Sequence, residues 1–215
     1  MDDLFIKICG LKTGQDVDMA VESGADAVGF VFAAASARTV DAATARQLVQ
    51  RVPAGALTVG VFRRQSVDEV RRLAEESGVR AVQLHGDEGP EYYGTLQEEG
   101  RTLIRATAAT EIPYRCGEWG EDLLLLDAPD PGSGKPWNWA SPTFAAPTGR
   151  WLLAGGLHPG NVHRAAEVTG AWGVDVSSGV ESERGVKSPE LIRAFIAAAR
   201  QSGGRATGES FLPSR

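Results

Sequence analysis

Eight short apolar runs, spread along the whole chain and separated by amphipathic segments, limit what this sequence can become. They are LFIKIC (4–9), DAVGFVF (26–32), LTVGVF (57–62), RAVQL (80–84), TLIRA (102–106), DLLLLD (122–127), WLLAG (151–155) and GVDVS (173–177). Several are apolar at successive positions, the pattern of parallel strands covered on both faces. Helical periodicity fills Thr13 to Gly24, Asp41 to Val52, 67–78, Gly89 to Gly100, Pro159 to Gly170 and Pro189 to Gly203. Ser66 and Glu69 form a capping box ahead of the third of these, and Gly78 can end it. Strand alternating with helix implies a parallel sheet with right-handed crossovers. Eight such units predict an α/β fold, a single-domain (β/α)8 TIM barrel over residues 1–203. The stretch 107–121 contains Pro113, Gly117 and Gly120 and little periodicity, so the fifth helix is expected to be degenerate, a loop or one turn. Residues 204–215 are small and polar, and a flexible tail is expected there.

A chain of 215 residues suits one barrel, and 42% hydrophobic with 23% charged residues is ordinary globular composition. No apolar run approaches the ~18 residues that span a bilayer. The start, MDDLFIKICG, lacks the basic segment and apolar region of a signal peptide, which predicts a cytoplasmic protein with no membrane partner. Two cysteines, Cys9 and Cys116, give no disulfide framework in a reducing compartment. A net charge of -6 argues against nucleic acid. An anionic small molecule must then be met locally, by helix N-termini and glycine amides.

Two glycine-rich turns point to such an anion. LLAGGLHPGNV (152–162) and GVDVSSGVE (173–181) each run from an apolar strand into a turn that exposes backbone N–H groups. The alternative is that the glycines only make tight turns. In a barrel of this kind, chemistry collects at the C-terminal strand ends. Cys9 ends the first strand and Asp127 the sixth, on opposite sides of an eight-stranded ring with room for a sugar between them. A thiol and a carboxyl so placed make a proton-transfer pair, one taking a proton from carbon while the other protonates a ring oxygen or nitrogen. Cys9 could instead be a small buried hydrophobe, and Asp127 a cap. Lys7 shares a strand face with Cys9, lines the interior, and is expected to be among the substrate-binding residues and to favour the Cys9 thiolate. The three histidines, His85, His158 and His163, carry no metal motif; His163 reads as a surface helix residue and His158 as a turn residue.

Taken together, KICGLK (7–12), SART (36–39), VQLHG (82–86), LLLD (124–127), GSGKPWNW (132–139), AGGLHPGNV (154–162) and VDVSSGVE (174–181) resemble, in order, the phosphoribosylanthranilate isomerase family. The resemblance runs from residue 6 to about 200. It implies a cofactor-free, metal-free Amadori rearrangement of N-(5-phosphoribosyl)anthranilate to 1-(2-carboxyphenylamino)-1-deoxyribulose 5-phosphate, an aldose–ketose isomerisation in tryptophan biosynthesis. Asp127 falls where the family has its general acid and Cys9 where it has its general base. Arg38 matches the arginine that contacts the anthranilate end, and Gln83 and His85 match pocket-lining residues. Gly155, Gly156, Ser177, Ser178 and Gly179 match the phosphate site. The loop after the sixth strand, with Gly132, Ser133 and Gly134, matches a substrate-covering loop. The implied partner is a phosphorylated small molecule, and no protein partner is implied.

The chain departs from the family pattern in three places. Ser36-Ala37-Arg38 lacks the proline usual before the arginine, the strand-six loop has Ser133 for threonine and Asn138 for aspartate, and Ser188 stands where an acidic residue is usual. Two competing readings remain on the residues alone. One is a histidine-pathway isomerase, whose family has an aspartate where Cys9 stands, or an enzyme accepting both aglycones. A barrel that only binds a phosphosugar would have no use for an intact Cys9 and Asp127.

Overall fold

A computed structural model of the chain describes residues 4–109, 114–128, 139, 141 and 144–201. The expected tail at 204–215 and the loop residues Gly132, Ser133 and Gly134 lie outside them. All eight apolar runs are strands: β1 (Phe5–Cys9), β2 (Ala27–Val31), β3 (Leu57–Phe62), β4 (Ala81–Leu84), β5 (Thr102–Ala108), β6 (Leu123–Asp127), β7 (Trp151–Leu153) and β8 (Gly173–Val176). They pair in parallel and in chain order, and β8 closes on β1 through Lys7 opposite Asp175. This is the expected closed barrel.

Six helices are present among the described residues: α1 (Gly14–Glu22), α2 (Ala42–Val49), α3 (Val67–Ser77), α4 (Pro90–Gln97), α5 (Val162–Thr169) and α6 (Pro189–Arg200). Their ends follow local chemistry. The Ser66 hydroxyl accepts the N–H of Glu69 at α3, and Gly78 ends that helix in the left-handed region. Helix α5 starts later than expected from Pro159, because Asn161 Oδ1 and His158 Nδ1 take the N–H groups of His158 and Gly160 into a turn. No helix occurs among the described residues between β5 and β6, in keeping with the degenerate fifth helix. A feature not foreseen is an antiparallel hairpin of β9 (Glu181–Glu183) and β10 (Val186–Lys187), which follows one 3₁₀ turn at Ser178–Val180.

Alternation along the strands divides the core in two. Ile6, Ile8, Leu84, Leu124 and Val174 face the helices, and with the apolar stripes of α1 to α6 they form the outer core. Phe5, Cys9, Val59, Ala81, Ile104, Leu125 and Leu152 face inward. Phe5 stacks on Trp172, ring centroids 4.8 Å apart, at the N-terminal mouth. Burying side chains of this size contributes about 1.5–3 kcal/mol each, so one end of the barrel is sealed by aromatic packing. The other end is lined by small residues, Ala33, Ala106 and Ala154, and stays hollow. No helix among the described residues is long and apolar enough to cross a membrane.

Candidate active site

The hollow end is a cavity of about 500 Å³ at the C-terminal ends of the strands. Its wall brings together Cys9, Arg38, Gln83, His85, Asp127, Gly155, Gly156, Ser177, Ser178 and Gly179. Strand order refines one expectation. Cys9 and Asp127 are not diametrically opposed, because only β7 and β8 stand between β6 and β1; both face the same cavity from strands three steps apart. The two strands between them end in the glycine turns, so the turn amides lie on the cavity wall between Cys9 and Asp127.

Asp127 is the last residue of β6, and its carboxylate is held at both oxygens. Oδ1 accepts the N–H of Ala128 at 2.7 Å, and Oδ2 lies 3.3 Å from His85 Nε2. Gln83, two residues before His85 on the same face, sets its amide 3.5 Å from His85 Nδ1. Gln83 is buried, and its Oε1 has no partner among the described residues, which leaves an acceptor open to whatever fills the cavity. Gly155 makes room for this arrangement. A Cβ there would lie 2.8 Å from Asp127 Oδ1 and 2.6 Å from Ala128 N, and its φ of +84° is a glycine conformation.

Cys9 ends β1 with its Sγ against Gly29. Burial pushes the thiol above its ordinary value and Asp175 adds to the rise, while Lys7 and Lys187 pull it down. The balance is upward, so the thiol form dominates at neutral pH. Lys7 therefore acts in the expected direction but is outweighed. It also differs from expectation in place: it is fully buried one layer below the cavity, donating to Asp175 Oδ1 at 2.6 Å, and is not on the cavity wall. Burial disfavours its charge, yet Asp175 and Cys9 hold it protonated, above the usual lysine range. The pair is set by register, since Lys7 and Asp175 are cross-strand neighbours where β8 closes on β1.

The two glycine turns present the backbone N–H groups of Gly155, Gly156, Ser178 and Gly179, none with an acceptor among the described residues. A Cβ on Gly179 would overlap the carbonyl oxygen of Leu157, so the two turns touch and the site between them requires glycine. Ser177 donates through Oγ to the carbonyl of Cys9 at 3.1 Å, tying this turn to the end of β1.

Arg38 approaches from the loop after β2. Its Nε and Nη2 donate to Glu181 Oε1 and Oε2 at 2.6 and 2.9 Å, a bidentate pair. Lys187 Nζ donates to Glu181 Oε1 at 2.9 Å and to the Ser177 carbonyl at 2.7 Å. Burial raises the Glu181 carboxyl, but Arg38, Lys187 and the Gly185 N–H outweigh it and bring it down to about 2. Asp175, Glu181 and Lys187 were not among the sequence-derived site residues. Among the described residues no cluster of three or more His, Cys, Asp or Glu could hold a metal ion.

Comparison with known proteins places this site in a family. The sequence profile of the family described as N-(5'phosphoribosyl)anthranilate (PRA) isomerase matches residues 6–198. The chain belongs to the PRA isomerase family. A PRA isomerase of Rhodospirillum rubrum is 42% identical over 220 residues, covering 94% of this chain and all of that protein. Among solved structures, TrpF from Jonesia denitrificans is 41% identical with a TM-score of 0.83, covering 93% of this chain and 98% of its own. A phosphoribosyl anthranilate isomerase in complex with reduced 1-(o-carboxyphenylamino)-1-deoxyribulose 5-phosphate is 31% identical with a TM-score of 0.77, covering 92% and 99%. In this member of the PRA isomerase family, Cys9, Asp127 and both glycine turns line one cavity.

Proposed function

We propose that the chain converts N-(5-phosphoribosyl)anthranilate to 1-(2-carboxyphenylamino)-1-deoxyribulose 5-phosphate, an aldose–ketose isomerisation, with Asp127 as general acid and Cys9 as general base. The carrying observation is that Cys9 and Asp127 line one cavity whose rim between them is made by the two glycine turns. The ligand named in the relative's complex bears a phosphate at one end and a carboxyphenyl group at the other. The N–H groups of Gly155, Gly156, Ser178 and Gly179, with Ser177, suit the phosphate, and the Arg38 fork suits the carboxylate.

In this reading Asp127 protonates the furanose ring oxygen, the ring opens to a Schiff base, and Cys9 as thiolate takes the C2 proton. The enolamine that results tautomerises to the ketone, so the reaction is redox-neutral overall and draws on no external electron acceptor. His85 keeps Asp127 aimed, and Gln83 Oε1 is open to a substrate hydroxyl. The substrate is a free phosphorylated small molecule, and the cytoplasm is the compartment we assign to it. Cys9 at the end of β1, where a histidine-pathway enzyme would have aspartate, favours the anthranilate substrate.

The test is loss of anthranilate fluorescence on adding purified protein to freshly generated phosphoribosylanthranilate, beside the Asp127→Asn variant. Turnover by the wild type alone supports the reading. Ligand binding without turnover by the wild type would leave a binding barrel or another aglycone.

A further inference from the structure

Arg38 is held by a device outside the acid/base pair. Its loop has no proline before it, so backbone rigidity is not what fixes the guanidinium. Instead the side chain crosses the end of β1, where a Cβ on Gly10 would lie 2.6 Å from Arg38 Cδ, and then docks on Glu181 through two hydrogen bonds. The Glu181 side chain is 4% exposed and is itself held by Lys187 and by the N–H of Gly185 at 3.0 Å. Gly185, in the left-handed region, lets the hairpin tuck under the loop, because a Cβ there would lie 2.8 Å from the Ala37 carbonyl oxygen. Glu181 takes Nε and Nη2 only, and Nη1 has no acceptor among the described residues. A guanidinium anchored along one edge offers its remaining donors in one orientation, which lowers the ordering cost of meeting a planar carboxylate.

The geometry points to Glu181 as a positioning residue for the carboxylate-bearing end of the substrate: through the Arg38 fork, and braced by Lys187, it holds Nη1 ready for the aglycone carboxylate. The inference rests on the isomerase reading and adds a residue that selects the aglycone. Lys187 also donates to the Ser177 carbonyl and Oγ, contacts that do not involve Glu181.

The experiment is a double-mutant cycle of Arg38→Ala and Glu181→Gln, read by KM for phosphoribosylanthranilate and by binding of ribose 5-phosphate, a probe without the aglycone. Glu181→Gln is expected to raise KM about tenfold or more, since hydrogen bonds to charged groups carry effects of that order. It should leave ribose 5-phosphate binding within about twofold and the pH profile of kcat unmoved. In the Arg38→Ala background the same substitution should add less than about twofold. Additive effects, or an equal loss of ribose 5-phosphate binding, would overturn the inference. Should Glu181→Gln fail to fold, Glu181→Asp keeps the charge, shortens the reach and must show the same loss of additivity. Wild-type turnover reports separately on the isomerase reading; without it, the inference about the aglycone falls too.

Discussion

His85 Nε2 stands 3.3 Å from Asp127 Oδ2, and the other oxygen of that carboxylate is bound by the N–H of its own chain neighbour Ala128. These contacts fix the carboxyl's orientation and turn Oδ2 toward His85. The Gln83 amide lies 3.5 Å from His85 Nδ1, and in the tautomer with Nδ1 as acceptor the Nε2–H faces Asp127. Asp127→Asn keeps the shape and removes the transferable proton. It is expected to lower kcat by about 10²–10⁴-fold with KM little changed, and His85→Gln to give a smaller loss. Steady-state kinetics by anthranilate fluorescence check both, and an Asp127→Asn enzyme with wild-type kcat would remove Asp127 from the chemistry.

Cys9 sets the pH dependence. Its thiol is pushed up by burial and by Asp175, with Lys7 and Lys187 only partly offsetting this. With the thiolate as the proposed base, a raised value moves the rising limb of kcat/KM to the alkaline side of an ordinary thiol near ~8.5. Activity should climb through that range, and Cys9→Ser should abolish the climb together with most of the rate. Replacing Lys7 by Met removes one of the two lowering charges and is expected to shift the limb further alkaline. A pH–rate profile that is flat, or retained in Cys9→Ser, would contradict a thiolate base.

The two glycine turns are expected to fail in different ways. A Cβ at position 155 meets Asp127 Oδ1 and Ala128 N, whereas one at 179 meets the backbone of Leu157 and His158. Gly155→Ala should therefore lower kcat by displacing the acid. Gly179→Ala should open the junction of the turns, raise KM and weaken inorganic phosphate binding, with about 1–3 kcal/mol of lost stability from overpacking. Comparing kcat, KM and phosphate competition for the two variants checks this, and identical kinetic signatures would show that the turns do not divide the labour.

Glu181 carries a stability signature. Its carboxyl is brought to about 2 in the folded chain against 4.5 as the reference. Between these values the unfolded state binds the extra proton, so stability is complete above about pH 4.5 and falls as the pH drops towards 2. Arg38, Lys187 and the Gly185 N–H face the carboxylate, and the two cations keep their charge across this window. Urea unfolding from pH 6 to 2.5 should show Glu181→Gln less stable at the upper end, with the difference narrowing on acidification. A constant difference would mean that the charge of Glu181 does not bear on folding.

The barrel was legible because parallel strands buried on both faces write themselves as unbroken apolar runs, and all eight are found where the runs lie. The site was legible where strand ends and glycines mark it: Cys9, Asp127 and the turns at 155–156 and 177–179. What was not legible depends on closure. Lys7 meets Asp175 across 168 residues and Arg38 meets Glu181 across 143, distances over which periodicity says nothing. One signal was available for Asp175: an aspartate in the middle of an apolar strand requires a cation, and Lys7 sits in the strand that barrel closure places beside it. Glu181 and Lys187 had no such mark, since the hairpin that carries them is too short and polar to read as strand.

The stretch that takes the place of a fifth helix holds the outer face of β5 with charge. Arg105 lies between Leu84 and Leu124 in register, on the side away from the cavity. It donates to Glu121 Oε1 at 2.8 Å, and its guanidinium packs 4.5 Å from the Trp119 ring. Glu121 Oε2 in turn accepts the N–H of Trp119 at 2.8 Å, and its side chain is fully buried. Removing Glu121 leaves the buried Arg105 only Glu118 at 3.6 Å and the Arg115 carbonyl, and strips the Trp119 N–H of its acceptor, so the cost is expected toward the lower end of the roughly 3–5 kcal/mol of a broken buried pair, whereas apolar replacement of both is close to neutral. Glu121→Ala should therefore lose about that much in urea unfolding, and Arg105→Met with Glu121→Leu should recover most of it. Since the pair faces the outer core, kcat of the folded Glu121→Ala protein is expected to stay at the wild-type value. A loss below about 1 kcal/mol would show that the aromatic packing of Trp119, not the ion pair, anchors the loop.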